Sequence, residues 1–192
     1  MFVELDRRAY ESSNFNNSDS SIEIIQSISP SKEFIIISHG FAGSKEMMRQ
    51  IAYDIANAGS NAVLFDFIGH GSNQQKLVNQ PAEITGTTQQ LVAQLSDIIK
   101  SIYEKFGNEI SISLVGHSMA SDIVIRASAD ERIKSVVAIS PYSTGITPDF
   151  PKDLLLISGQ FENHLRSHAL KMVKTFRPDA EENTGYADER IR

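Results

Sequence analysis

Short apolar runs alternate with amphipathic stretches over most of this chain, and this alternation constrains its fold more than any other feature. The apolar runs occupy 33–38, 61–67, 110–115, 133–140 and 154–158, and they have the character of strands buried on both faces. Apolar residues recur at helical spacing in 47–56, 91–106, 118–129 and 164–176. Strands that alternate with helices predict an α/β fold, in which a mostly parallel sheet carries helices on both faces.

The two ends of the chain are polar. The Asn/Ser-rich stretch 12–21 predicts a hairpin loop or a loose connection, and 21–28 predicts an edge strand. The last residues, 177–192, are charged and lack apolar periodicity, so no strand is predicted after the last helix. We see no internal repeat and no second core, and we therefore expect a single domain over 1–192.

Composition excludes several classes of protein. The chain has 192 residues, of which 41% are hydrophobic, enough for one sizeable core. Its net charge of −6, without a basic cluster, argues against a nucleic-acid partner. No run reaches the roughly 18 apolar residues that span a bilayer, and the charged start lacks the apolar stretch of a secretory leader. With no cysteine there is no disulfide, thiolate metal site or cysteine nucleophile, and we expect a cytoplasmic protein.

The sharpest motif is GHSMA at 116–120, directly after a predicted strand and directly before a predicted helix. Such a tight turn requires small residues around its centre and exposes the Ser118 side chain at the carboxyl edge of the sheet. This is the pattern of a nucleophile elbow, with Ala120 where the commoner form has glycine. The alternative is a serine that caps the helix after a glycine turn.

Two further motifs follow the first two buried strands: HGFAG at 39–43 and DFIGHGS at 66–72. Together with the elbow, in this order and each after a strand, they resemble the α/β-hydrolase fold. The resemblance covers about residues 33–176, and within that superfamily it points to small serine esterases and serine-peptidase-like hydrolases. Serine at the elbow argues against the haloalkane dehalogenases and epoxide hydrolases, which use aspartate there.

The resemblance implies a role for several residues. Ser118 would be the nucleophile, and the backbone N–H groups of Phe41 and Met119 would form the oxyanion hole. Glu162, three residues after a glycine that follows the 154–158 strand, would be the acid, in place of the commoner aspartate; the alternative is a first-turn acid facing the helix dipole. Asp149 is a weaker candidate for the acid.

Two histidines in the motifs are not expected to be catalytic. His39 and His70 are expected to be structural and hydrogen-bonded, because they match positions that shape the loops after the first two buried strands. Gly40, Gly69 and Gly71 are expected where a side chain would collide or where φ is positive.

The base is harder to assign, because family order is serine, acid, histidine and no histidine follows His168. His164 and His168, four residues apart on one helix, have no third metal ligand in evidence and suit a solvated face; no metal site is expected. His164 remains a candidate displaced base. Three explanations are open. The chain is a truncated hydrolase that lacks its last strand and helix, or a short member of the superfamily whose base is displaced or supplied by a partner, or a pseudo-enzyme. We favour truncation, which would leave an exposed sheet edge beside 154–158 and a route to a homo-oligomer.

The expected function is hydrolysis of an acyl ester through an acyl-enzyme on Ser118, without a metal or cofactor. The short connection 141–153 leaves no room for a large lid and favours small or exposed acyl substrates. Phe41, Met119, Tyr142 and Ile146 are expected to line the pocket. Ester, thioester and amide substrates share this machinery, so the sequence does not separate them. A ligand-binding pseudo-hydrolase is the alternative.

Overall fold

A computed structural model describes residues 12–17, 20–78, 84–142, 153–159, 161–176 and 189–191. Its strands are β1 (Ser12–Asn17), β2 (Ser20–Ile25), β3 (Glu33–Ser38), β4 (Asn61–Phe65), β5 (Ser111–His117), β6 (Ile133–Ile139), β7 (Leu154–Ile157) and β8 (Glu189–Ile191). Its α-helices are α1 (Arg49–Asn57), α2 (Ile84–Phe106), α3 (Met119–Ala127) and α4 (Asn163–Phe176). A 3₁₀ turn, Lys45–Met48, leads into α1.

The strands form one sheet in the order β1-β2-β4-β3-β5-β6-β7-β8. The five strands from β4 to β7 in this order pair in parallel. The hairpin β1–β2 adds to one side and β8 to the other, in both cases antiparallel. The prediction of an α/β fold with a mostly parallel sheet is therefore confirmed. Since the carboxyl ends of parallel strands share one edge, the loops that follow β3, β4, β5, β6 and β7 gather there.

The apolar core lies on both faces of the sheet, as the continuous apolar runs predict. Successive residues of β3 belong to different clusters: Ile36 packs with residues of α2, α3 and α4, and Ile37 packs with residues of α1. Both side chains are fully buried. The alternation between the two faces of the sheet follows from the two-residue period of a strand, and packing on both faces fixes the positions of the loops at the carboxyl edge.

The N-terminal hairpin corrects the prediction for residues 12–28. Residues 12–17 form strand β1 rather than a loop, and β2 is not the edge strand, because β1 pairs with it along its whole length. Asparagine and serine are poor strand formers, and local propensity therefore predicted a loop. The ladder with β2, and Phe15 packed against the core, override that preference.

A second correction concerns the C-terminal residues, where the sequence predicted no strand. The three residues of β8 pair with Leu154–Leu156 of β7, so the edge of β7 that we expected to be exposed is paired. A strand this short carries no periodicity and is specified by backbone pairing alone. Association through a sheet edge stays a prediction. Within the described residues, no helix combines the length and the apolar character that a bilayer span requires.

Candidate active site

The turn between β5 and α3 consists of one residue, Ser118. Its backbone has φ 54° and ψ −115°, in the region that side-chain-bearing residues rarely adopt. Such a conformation costs about 1–3 kcal/mol and persists only where the surroundings impose it. The Ser118 N–H donates to the Ile139 carbonyl at 2.9 Å, and the Ser118 carbonyl accepts from the N–H of Ser121 at 2.9 Å and from its hydroxyl at 2.5 Å. These bonds hold the strained residue at both ends.

The neighbours of the elbow confirm why the turn needs small residues. A Cβ on Gly116 would lie 2.3 Å from the Ala120 carbonyl oxygen, so glycine is required at this position. Ala120 itself is fully buried between helix and strand, and its single methyl group fits where the commoner motif has glycine. Although Ser118 occupies the N-cap position of α3, its side chain makes no capping bond. The alternative interpretation of Ser118 as a helix cap is therefore not supported.

The loop after β3, residues 39–43, lies directly against the elbow. A Cβ on Gly40 would lie 3.2 Å from the Cβ of Ser118 and 3.1 Å from Nδ1 of His117, which leaves only a small space for any side chain there. Phe41 follows with its side chain 59% exposed. Met119 is the first residue of α3, so its N–H has no acceptor within the helix. The structure thus brings the loop that carries Phe41 next to Ser118 and Met119.

His39 and His70 confirm the prediction that both are structural. His39 is buried and accepts a hydrogen bond at Nε2 from the Phe67 N–H, so its proton is on Nδ1, which donates to the Gly40 carbonyl at 2.9 Å. Burial lowers the pKa of His39 below its ordinary value, because the charged ring would lose its hydration. Nδ1 of buried His70 lies 2.9 Å from the Ile68 carbonyl oxygen. Both rings are thereby committed to loop structure.

Asp66 joins the loops that follow β3 and β4. This role was not predicted from the sequence, although Asp66 is the first residue of the motif at 66–72. Its carboxylate accepts from the Lys45 N–H at 2.7 Å and from the N–H and hydroxyl of Ser72 at 3.0 and 2.8 Å. Burial alone would raise the pKa of Asp66, but these three bonds outweigh it and hold the pKa below its ordinary value. A Cβ on Gly71, whose φ is 53°, would lie 2.2 Å from the carboxylate. The clamp therefore requires glycine at 71.

Glu162 lies in the loop after β7, where the resemblance places the acid. Its carboxylate accepts hydrogen bonds from the Gly159 N–H at 2.7 Å and from the Ser140 hydroxyl, which lies 3.0 and 2.9 Å from the two oxygens. Ser140 directly follows Ile139, whose carbonyl binds the Ser118 N–H. The carboxylate is thus bonded to Ser140, the residue directly after the one whose carbonyl binds the Ser118 N–H. Its two donors, Ser140 and Gly159, lie outside α4, so Glu162 is not simply an acid in the first turn of that helix. Asp149 lies outside the described residues.

All five histidines of the chain lie within the described residues, and none of them is hydrogen-bonded to the Ser118 hydroxyl there. His164 is exposed at the start of α4, with its ring edge-on to His168 at a centroid distance of 4.7 Å. The His168 ring lies 5.2 Å from that of Tyr142, whose N–H donates to the Ser121 hydroxyl. The structure therefore does not bring His164 into contact with Ser118. The described residues contain no group of three or more side chains that could hold a metal ion.

The amino-acid sequence matches the family model of serine aminopeptidase, S33, over residues 29–189. The chain belongs to this family. The match spans all the motifs described above and confirms the α/β-hydrolase resemblance. A comparison with curated proteins finds no match for this S33-family chain.

Solved structures share the fold of this S33-family chain. TT1662 from Thermus thermophilus is 16% identical, with a TM-score of 0.59 over 74% of this chain and 60% of that one. The esterase Pf2001 from Pyrococcus furiosus is 24% identical, with a TM-score of 0.56 over 69% and 49%. A carboxyl esterase from Bacillus coagulans is 15% identical, with a TM-score of 0.54 over 91% and 53%. At these identities the likeness shows the fold, and the match spans between 49% and 60% of the length of these three proteins.

Proposed function

We propose that this S33-family chain hydrolyses acyl esters through an acyl-enzyme on Ser118. The observation that carries the proposal is the strained backbone of Ser118, held in a one-residue turn between β5 and α3. Strain of this kind concentrates at functional sites, because it needs a rigid surrounding to persist. The adjacent loop with Phe41, the free first-turn N–H of Met119 and the anchored carboxylate of Glu162 support the same reaction.

In the proposed mechanism the Ser118 oxygen attacks the ester carbonyl carbon, and its proton passes to a base. The carbonyl oxygen becomes an oxyanion, which the N–H groups of Phe41 and Met119 stabilise, each by about 3 kcal/mol. The base then gives its proton to the departing alcohol, and an acyl group remains on Ser118. A water molecule loses a proton to the base and attacks the acyl group; Ser118 regains its proton as the acid product leaves. Glu162 would orient the base and stabilise its charged form. These steps need no metal or cofactor.

No histidine of the described structure is bonded to the Ser118 hydroxyl, and His164 is proposed only as a displaced base. It is exposed, and it lies two residues after Glu162 at the start of α4. The contacts of its ring lead through His168 to Tyr142, whose backbone is bonded to the elbow through Ser121. His168 supplies a matched comparison, since it has the same side chain on the same helix face and is half-buried.

The proposed substrates are esters with a small or exposed acyl group. Phe41 and Tyr142 are 59% and 39% exposed in loops at the same edge of the sheet as Ser118, which supports an open apolar surface rather than a deep tunnel. Met119, which follows Ser118, is partly buried against the core, and Ile146 lies outside the described residues. We propose that the protein acts in the cytoplasm, on the strength of its acidic, cysteine-free composition.

A fluorophosphonate probe tests the proposal, because it reacts with activated serines and requires little specificity. We expect intact-mass labelling of one site, lost in Ser118→Ala and retained in Ser96→Ala, whose hydroxyl binds the Val92 carbonyl on α2 away from the site. His164→Ala should slow labelling more than His168→Ala. Labelling or ester turnover that survives Ser118→Ala would refute the acyl-enzyme.

A ligand-binding pseudo-hydrolase is the second candidate. The observation that favours it is that no histidine of the described structure is bonded to the Ser118 hydroxyl. In that case folded protein would not react with the probe, while small esters or acids would still bind near Ser118. Burst release of alcohol from an activated ester, in an amount equal to the Ser118 content, would exclude this alternative.

A further inference from the structure

Three residues other than glycine have a positive φ within the described part of the chain: Ala42, Ser118 and Ser140. All three lie at the carboxyl edge of the sheet. Ala42 follows Phe41 in the loop against the elbow, Ser118 is the elbow itself, and Ser140 follows β6. Because such residues are strained, their concentration at one edge points to a shared function rather than to chance.

Ser140 makes specific hydrogen bonds with both its backbone and its side chain. Its side chain is only 8% exposed, and its N–H donates to the Ile157 carbonyl at 2.7 Å. Its hydroxyl lies 3.0 and 2.9 Å from the two carboxylate oxygens of Glu162. The peptide bond between Ile139 and Ser140 contains the carbonyl that accepts the hydrogen bond from the Ser118 N–H.

The backbone conformation at 140 does not by itself call for serine. With φ at 50°, glycine would occupy this position without the strain that a side chain brings. Glycine would lack the hydroxyl, and in this structure the hydroxyl donates a hydrogen bond to Glu162. A hydrogen bond to an ionised carboxylate is among the stronger ones in proteins. The side chain therefore explains the residue better than the backbone does.

A glutamate needs this restraint more than an aspartate would. Its side chain has one more rotatable bond, so a single donor such as the Gly159 N–H leaves the carboxylate free to swing. A second donor from a different loop limits that motion. We propose that Ser140 is a positioning residue that holds the Glu162 carboxylate in the orientation the acid requires. This inference rests on the proposed function, since it assigns Ser140 to the same reaction.

The kinetic test compares Ser140→Ala, Ser140→Gly and a control, Ser135→Ala. Ser135 lies in β6, the strand that Ser140 follows. Its hydroxyl donates to the hydroxyl of Ser113 and not to Glu162. We expect kcat for an activated ester to fall about ten- to hundredfold in both Ser140 variants, with KM unchanged, because the acid acts in the transition state. Ser135→Ala should keep its kcat. Wild-type kcat in Ser140→Gly would overturn the proposal, because that variant relieves the backbone strain and removes the hydroxymethyl group that holds Glu162.

Amide hydrogen exchange tests the same contact without turnover. If Ser140 holds Glu162, then the Gly159 N–H, which donates to that carboxylate, should exchange severalfold faster in Ser140→Ala and Ser140→Gly and normally in Ser135→Ala. Unchanged exchange at Gly159 would overturn the proposal even where kcat falls. A wild-type chain that neither labels nor turns over would refute the proposed function, and faster exchange at Gly159 would then still support Ser140 as the residue that holds Glu162.

Discussion

Replacement of Asp66 by asparagine probes the clamp between the loops that follow β3 and β4. The carboxylate is 5% exposed and accepts three hydrogen bonds, from the Lys45 N–H and from the N–H and hydroxyl of Ser72. Asparagine puts an NH₂ group where one carboxylate oxygen was, so at least one backbone donor loses its acceptor and the remaining bonds lose their charge. Since a hydrogen bond to a charged group contributes about 1.5–3 kcal/mol, we expect Asp66→Asn to destabilise the fold by about 3 kcal/mol.

The loss should depend on pH in a defined direction. Because hydrogen bonds hold the folded pKa of Asp66 below the unfolded value of about 4, its contribution to stability is complete above that value. The contribution is lost as the pH falls below about 4 toward the folded pKa. The difference in unfolding free energy between wild type and Asp66→Asn should thus be constant from pH 6 to 8 and shrink in acid.

Urea unfolding followed by circular dichroism measures this difference. At pH 7 the midpoint temperature should fall by about 6–12 °C in a parallel thermal scan, from the usual 2–4 °C per kcal/mol for a chain of this size. The control is Asp97→Asn, an exposed residue of α2, which should change stability by less than about 0.5 kcal/mol. Equal losses in the two variants, or a difference that grows in acid, would refute the reasoning.

Three further changes have defined outcomes. Gly116→Ala should abolish labelling of the elbow and lower the yield of folded protein, because the new Cβ would lie 2.3 Å from a carbonyl oxygen of α3; normal labelling would contradict the close contact. Arg49→Met should destabilise the fold by about 3 kcal/mol in urea unfolding, because Glu23, buried in β2, would lose a bidentate partner; Lys100→Met, on an exposed helix pair, is the control. Ser121→Ala should speed amide exchange at Tyr142, whose N–H would lose its acceptor, whereas Ser128→Ala should not.

The order of elements and the elbow could be predicted from the sequence because both have local signals. The buried run of β3 is continuous and apolar, and the glycine before Ser118 marks a turn that the structure makes with one residue. The strands β1 and β8 could not be predicted, since backbone ladders to β2 and β7 specify them and neither has an apolar period. A local pattern reports only what a segment prefers by itself.

The candidate site was predictable in part for the same reason. Ser118 and Glu162 lie two and three residues after glycines at the ends of predicted strands, and both are at the carboxyl edge of the sheet in the structure. The contacts of Ser140 and Asp66 depend on residues 22 and 21 positions away along the chain. No motif marks Ser140, whose positive φ and contact with Glu162 become visible only once the fold brings β6 beside β7.

Ala42 tests whether the positive-φ backbone at the carboxyl edge of the sheet lowers the stability of the protein. With φ at 55° its methyl group is in a conformation that costs about 1–2 kcal/mol, and glycine would remove that cost while adding about 0.5–1 kcal/mol of chain entropy. We expect Ala42→Gly to stabilise the protein slightly, by up to about 1 kcal/mol, in urea unfolding.

The matched control for that change is Ala58→Gly, at the exposed residue that directly follows α1 and has φ −78°. No strain is relieved there, so only the entropy cost remains and this variant should be destabilised by about 0.5–1 kcal/mol. The two changes delete the same methyl group and should therefore have opposite signs. If Ala42→Gly destabilises as much as Ala58→Gly, then the backbone at 42 stores no strain. If Ala42→Gly stabilises the protein while probe labelling of Ser118 slows, then the strained backbone at 42 lowers stability but provides a loop geometry that the reaction needs.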